Sequence, residues 1–284
     1  MKLILLPAAR RVSPVVCIAV LGASFSGHAK QKPLWEAGLG VGAVTFPDYR
    51  GSDRKQTYVL PMPYFVYRGE FLKADRNRLR GRFFDSDRVE LNVTMNASAP
   101  VDSKDNATRR GMPDLKPTVE IGPSLDLTLW RSGNQRAKLD LRLPLVTGVT
   151  IEGSPQSTGW QFSPRVNLDL QDPAGMRGWN LGLVAGPLFG DRRQHQYFYS
   201  VAQPYATPER SPYPARPGYA GVQFLVALSK RFPSYWVGGF LRYDTLRGAV
   251  FGDSPLVRRN SYLAGGIAMA WIIGESSRMV DVTD

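Results

Sequence analysis

The feature that most constrains this chain is a period-two alternation of apolar and polar residues held over long runs. In Val89-Glu90-Leu91-Asn92-Val93-Thr94-Met95-Asn96-Ala97 every odd position is apolar and every even one polar. Val119, Ile121, Leu125, Leu127 and Leu129 alternate with Glu120, Ser124, Asp126 and Thr128. Ala137, Leu139, Leu141, Leu143 and Leu145 oppose Lys138, Asp140 and Arg142, and Trp160, Phe162, Val166, Leu168 and Leu170 oppose Gln161, Ser163, Arg165, Asn167 and Asp169. Successive side chains of a β-strand point to opposite faces, so each run is a strand with one apolar and one polar face.

Two architectures use such strands: a soluble sandwich with a wet outer face, and a membrane barrel with apolar side chains toward lipid and polar ones toward the lumen. Length separates them. The runs exceed the ~5–6 residues usual for a soluble strand and reach the ~9–11 that cross a bilayer at a tilt. Aromatic residues gather near the run ends (Trp35, Tyr67, Phe83, Phe84, Trp130, Trp160, Trp179, Tyr235, Trp236, Trp271), as interfacial girdles require. No apolar stretch is long enough for a membrane helix. The expected fold is therefore an all-β antiparallel transmembrane barrel.

Strands are expected near residues 34–44, 56–67, 70–76, 78–85, 88–98, 115–130, 136–152, 158–171, 178–189, 217–231, 234–250 and 261–273, an even set of twelve with both termini in the periplasm. Every second connection is then a tight turn, at 68–69, 85–87, 132–134, 172–175 and 232–234, and the alternate ones include long external loops at 99–114, 190–216 and 251–260. Segments 70–76 and 78–85 can also be read as one long strand, which would break that parity. Pro61 and Pro63, two apart in the second strand, remove donors on one side and predict a weakly paired seam.

Residues 1–29 read as a cleaved signal peptide: Lys2, Arg10 and Arg11 flank apolar runs, and Gly27-His28-Ala29 supplies a small-x-small site, so the mature barrel domain is 30–284. Cys17, the one cysteine, lies in that segment, and Pro14-Val15-Val16 before it is a poor lipoprotein site. The mature chain thus has no disulfide, thiolate metal site or Cys nucleophile. Removing Lys2, Arg10 and Arg11 takes the formal charge from +12 to +9. That charge suits anionic partners such as outer-membrane lipid, lipopolysaccharide phosphates or cell-wall polymer; a solvated basic surface explains it equally well. No nucleic-acid partner is expected.

Catalytic chemistry finds little to work with, and neither cofactor nor metal nor catalytic residues are expected. His195, in Asp191-Arg192-Arg193-Gln194-His195-Gln196, is the one mature histidine. No base–nucleophile spacing accompanies it, so it is expected to be a solvated loop residue. Gly38, Gly40 and Gly42 mimic a dinucleotide-binding pattern, but no helix follows, and they are expected to be small inward-facing strand residues. Glu36, Glu90, Glu120, Asp126, Lys138, Asp140, Arg142, Arg165, Asp169 and Arg242 fall on the polar face. Two readings of these charges stand: an ion path, or a salt-bridged polar core that fills the barrel. The Arg-, Tyr- and Pro-rich loop at 190–216 is either an interaction surface or a self-packed cap over the mouth.

Certain segments resemble a known family. FPDYRGSDRKQTYVLPMPYFVYRGEF, YFYSVAQPYATPERSPYPARPGYAGVQF, RYDTLRGAVFGDSPLV and the terminal SYLAGGIAMAW are similar to the MipA/OmpV family of Gram-negative outer-membrane proteins, the MltA-interacting proteins. Tyr49-Arg50-Gly51-Ser52 and Asp253-Ser254-Pro255-Leu256-Val257 carry the likeness together. The resemblance implies an outer-membrane barrel, in the family's best-known member a scaffold without activity of its own that joins a lytic transglycosylase to a murein synthase, while other members are discussed as adhesins, antigens or porin-like proteins. A small-solute or ion channel is the alternative, and a barrel enzyme a third. The ending departs from the usual barrel, since Trp271 is followed by IIGESSRMVDVTD rather than closing the chain.

Overall fold

In the computed structural model, which describes residues 30–68, 72–75, 78–81, 84–85 and 88–282, the alternating runs become one antiparallel wall. The expected signal segment lies outside the described residues. In chain order the strands are β1 (Lys30–Pro33), β2 (Trp35–Pro47), β3 (Lys55–Arg68), β4 (Leu72–Asp75), β5 (Arg78–Gly81), β6 (Phe84–Asp85), β7 (Val89–Ser98), β8 (Thr118–Arg131), β9 (Ala137–Thr150) and β10 (Ser157–Phe162). Next come β11 (Arg165–Gln171), β12 (Trp179–Gly190), a helix α1 (Arg192–Tyr199), β13 (Gly218–Arg231), β14 (Tyr235–Thr245), β15 (Ser261–Glu275) and β16 (Met279–Val282).

The large sheet runs β5-β4-β3-β2-β15-β14-β13-β12-β10-β9-β8-β7-β6. Its end strand β5 lies against β7, the neighbour of the other end strand β6, so the two ends of the sheet meet. β10 and β11 both pair with β9 and β12 and form one strand interrupted at Ser163-Pro164, where the proline supplies no donor. With β10 and β11 taken as one, the wall has thirteen members among the described residues; the strand expected over 78–85 corresponds to β5 and β6, and the residues between them lie outside the described set. The largest boundary difference is in the strand expected over 234–250, which stops at Thr245 because Leu246–Val250 turn away into the loops.

Orientation follows the alternation. Leu39, Val41, Ile121, Leu145, Val166, Val226, Leu241 and Ile267 are exposed, whereas Asn92, Thr94, Ser124, Asp126, Asp140, Arg142, Asn167 and Asp244 are buried. That is a soluble protein turned inside out, stable where the outer face meets hydrocarbon and every backbone group is paired within the wall. Trp35, Trp130 and Trp271 stand exposed near the tight-turn end, and a Phe162–Phe189–Tyr219 ring series, with centroids 6.4 and 5.8 Å apart, marks the loop end. Trp236, expected in the girdle, is instead buried inside with Tyr64, Val66 and Ala270. Its even position in β14 puts it on the inner face. Gly40 lies inside against β15, where a Cβ would stand 2.7 Å from the Ala270 methyl carbon.

Tight turns appear at Ser132–Asn134, Asp172–Gly175 and Phe232–Ser234, as expected; those at 68–69 and 85–87 run into residues outside the described set. Below this end β1 pairs with β16, and Leu34 N–H donates to the Arg278 carbonyl (2.8 Å). The unusual C-terminal extension is therefore a clasp that ties the two ends of the described chain together. β3 keeps full register with β2 through Pro61 and Pro63, so no weak seam lies on that side; on its other edge, among the described residues, β4 pairs with Tyr67 and Arg68.

Candidate functional site

Two regions concentrate polar groups: the interior of the wall and its loop end. Inside, simple antiparallel register sets Arg142 opposite Asp126 on β8 and opposite Arg165 on β11, with Lys138 opposite Asp169. Arg142 reaches Asp126 (3.5 Å), Asp140 (3.4 Å) and Asp169 (3.4 Å), and Lys138 reaches Asp140 at 3.1 Å. Hydroxyls complete the shell, Ser124 donating to Asp126 (2.6 Å) and Thr128 to Asp140 (3.1 Å). The side chain of Arg142 is 8 % exposed and that of Asp140 2 %, but that of Asp169 is 52 % exposed, so the network grades from dry to wet. Mutual neutralisation is what allows such charges to be buried at all.

The other expected inward charges divide. Glu36 is buried and pairs with Arg231 (3.0 Å), which also reaches Glu275. Arg242 pairs with Asp244 (2.8 Å), and Arg50 reaches the same carboxylate at 3.1 Å. Glu90 sits opposite Asp126, and Glu120 opposite Asn96, both half-buried. Arg165 has no carboxylate within ion-pair distance among the described residues. The expected polar-face set did not include Arg50, Arg231 or Asp244: Arg50 is in a loop, Arg231 is reached by Glu36 and Glu275 from sequence-distant strands, and Asp244 is held by Arg242 two positions before it and by Arg50.

At the loop end, Tyr49, Val101, Leu115, Tyr199, Val201, Ala215, Leu246, Phe251 and Leu256 pack with Leu188 and Ala220 into one apolar core. The segment 190–216 is thus a self-packed cap. Its helix α1 starts on Asp191, whose carboxylate accepts from Gln194 N–H (2.7 Å) and caps free amides. His195, expected to be solvated, is fully buried, because α1 turns it inward between Tyr199 and Phe251, with ring centroids 6.2 and 4.7 Å away. Its Nδ1 lies 2.6 Å from the Arg216 carbonyl, which only accepts, so Nδ1 carries the proton. Burial lowers its pKa from the ordinary 6.5 and keeps the ring neutral.

The family-pattern residues meet here although some 200 positions separate the two motifs. Tyr49 donates to the Leu256 carbonyl (2.8 Å), and Ser254 to the Tyr199 carbonyl (2.7 Å). The Gly51 carbonyl accepts from the amides of Arg258 (2.8 Å) and Arg259 (3.0 Å), at a φ of 95° that favours glycine. Ser52 accepts from Asn106 (3.2 Å), while Asp253, two residues before Pro255, accepts from Tyr213 (2.5 Å). Burial and Asp253 push the Tyr213 phenol up to about 12; burial pushes Tyr49 and Tyr199 well above the usual phenol range. Phenols held this firmly protonated are donors, not bases, so these residues build the cap. Among the described residues no group of His, Cys, Asp and Glu is placed to hold a metal ion.

The MltA-interacting protein MipA family model matches residues 39–273. No curated protein matches. Solved structures with a similar chain path include a bacterial polysaccharide outer membrane secretin, at 11% identity over 84% of this chain and 99% of that one, with a TM-score of 0.41. Outer membrane phospholipase A from Escherichia coli matches at 11% identity over 85% and 94%, TM-score 0.34, and the P. putida toluene transporter TodX at 9% over 86% and 68%, TM-score 0.27. Likeness this remote says nothing of what the chain binds.

Proposed function

Since the chain belongs to the MltA-interacting protein MipA family, an assignment that places it in the outer membrane, we propose that it is a non-catalytic scaffold whose periplasmic end docks murein-remodelling enzymes. The partners of this reading are a lytic transglycosylase and a murein synthase. The observation that carries it is the cap: loops from four connections pack one apolar core over the outer mouth, while the buried network around Arg142 fills the wall beneath. A solute path would need both to be water-lined. With the mouth occupied, the tight turns and the β1–β16 clasp are the surfaces left for a periplasmic partner. The mature start near Lys30 belongs to the same reading, since Gly27-His28-Ala29 just ahead of it supplies a small-x-small cleavage site.

The test uses the folded barrel in detergent as bait for purified lytic transglycosylase. Scaffold function expects saturable binding that weakens when the Ser132–Asn134, Asp172–Gly175 or Phe232–Ser234 turns are exchanged for Gly-Ser. Planar-bilayer recordings on the same preparation are expected to be silent. Steady conductance without enzyme binding would favour the channel reading instead.

A further inference from the structure

Between the cap and the network around Arg142 lies a chamber of about 500 Å³. Five charged side chains line it: Asp48, Arg50, Glu120, Arg165 and Arg242. Three of them are answered within the protein. Arg50 donates to one oxygen of Asp244 (3.1 Å) and is hydrogen-bonded to the Tyr262 phenol, while Arg242 pairs with the other oxygen (2.8 Å) and reaches the same phenol at 3.5 Å. Asp48 is held by Arg54 (3.9 Å) and by the side-chain amides of Gln56 and Asn106, both at 2.7 Å.

Arg165 and Glu120 are not answered in this way. Arg165 stands opposite Arg142, a like charge, and its buried Nε has no hydrogen-bond partner. Glu120 has the Asn96 side chain as its hydrogen-bond partner and no cation within ion-pair distance among the described residues. A half-buried guanidinium and a half-buried carboxylate thus line one space without meeting. Along β9 they are six positions apart, since Glu120 is in register with Gly148 and Arg165 with Arg142. At ~3.4 Å per residue that is about 20 Å of wall, which the two side chains shorten but do not close. Charges left unpaired in such a place are unfavourable, and charge-assisted bonds to a ligand remove the penalty at both ends.

We propose that this chamber binds a short peptide with both termini free, its carboxylate against Arg165 and its ammonium against Glu120. A single amino acid carries its two charges on one carbon and does not bridge the span. An extended tripeptide, at ~3.3–3.6 Å per residue, covers about 10 Å and does. The lining also serves a peptide backbone. One terminal nitrogen of Arg50 is buried without a hydrogen-bond partner although Asp244 answers its charge, so what it lacks is a neutral acceptor, which a peptide carbonyl supplies. Gln161 and Gln223 add amides that both donate and accept. This site is independent of the scaffold reading, whose docking surfaces lie at the opposite end of the barrel.

The test titrates trialanine calorimetrically into the folded full-length barrel in maltoside, beside N-acetyl-trialanine, which lacks the ammonium, trialanine amide, which lacks the carboxylate, and free alanine. Trialanine is expected to bind saturably, and each of the other three at least tenfold more weakly. Arg165→Gln should remove the preference for trialanine over its amide and keep the preference over the acetylated peptide; Glu120→Gln should do the reverse. Should one variant fail to fold, the one-sided loss in the other decides the matter, and should both fail, the blocked peptides on the parent decide it. No saturable binding at millimolar trialanine overturns the site. N-acetyl-trialanine binding as tightly as trialanine overturns the role of Glu120, and alanine doing so overturns the bridging peptide. Loss of both preferences together in either folded variant overturns the assignment of the two ends.

Discussion

Replacing Arg142 by alanine removes the hub of the interior network, and the structure sets the size of the effect. Breaking a buried ion pair from one side costs about 3–5 kcal/mol when the remaining charge is uncompensated. Here it is partly compensated: Asp140 keeps Lys138 (3.1 Å) and the Thr128 hydroxyl, and Asp126 keeps the Ser124 hydroxyl. Arg165, opposite Arg142 in register, also loses a like-charged neighbour. The expected destabilisation is therefore about 1–3 kcal/mol. For a chain of this size, about 2–4 °C per kcal/mol translates that into roughly 3–10 °C. The assay is the temperature at which the folded, fast-migrating gel band converts to the unfolded one at a fixed heating rate, since barrel unfolding is read kinetically. Asp169→Asn is the internal control: its carboxylate is 52 % exposed, and an exposed pair contributes under about 1 kcal/mol. An Arg142→Ala barrel that melts within about 2 °C of the parent, measured against that same calibration, and shows cation-shifted conductance would mean that Arg142 is solvated in an open pore.

Three further outcomes are expected. Gly51→Ala puts a side chain at positive φ and a Cβ 2.9 Å from Leu246 Cδ1; strain of about 1–2 kcal/mol should open the cap to trypsin at Arg258 and Arg259 while the barrel stays heat-modifiable, and unchanged cleavage would contradict the packing described. Because the folded pKa of His195 lies below its unfolded value of 6.5, its contribution to cap stability is complete above that pH and declines as pH falls beneath it; hydrogen-exchange protection factors over 192–199, which remove the intrinsic pH dependence of exchange, should fall on going from pH 7.5 to 5.5, and His195→Leu should abolish that fall. Cysteines at Lys104 and Glu209 should label on intact cells, and one at Asn134 only after permeabilisation; the reverse pattern would invert the barrel.

Local sequence determined the wall. Period-two patterning is written residue by residue, and the hydrocarbon on one side leaves no alternative to apolar-out, so strand positions, the faces of Asp126, Asp140 and Arg142, and the tight turns were legible without tertiary information. Register followed almost as directly, because a one-residue slip would turn every charge toward lipid. Tertiary structure alone decided the rest. Trp236 shares its aromatic character with the girdle tryptophans and differs only in facing inward. His195 reads as solvated in its charged neighbourhood, yet α1 rotates it into a core whose other members come from residues 49, 101, 115, 246, 251 and 256. Arg50 and Asp244 are 194 positions apart and meet only when the loops close. Loops carry no periodicity to mark an inside, so which of their side chains are buried depends on contacts that exist only once the barrel has brought its strand ends together.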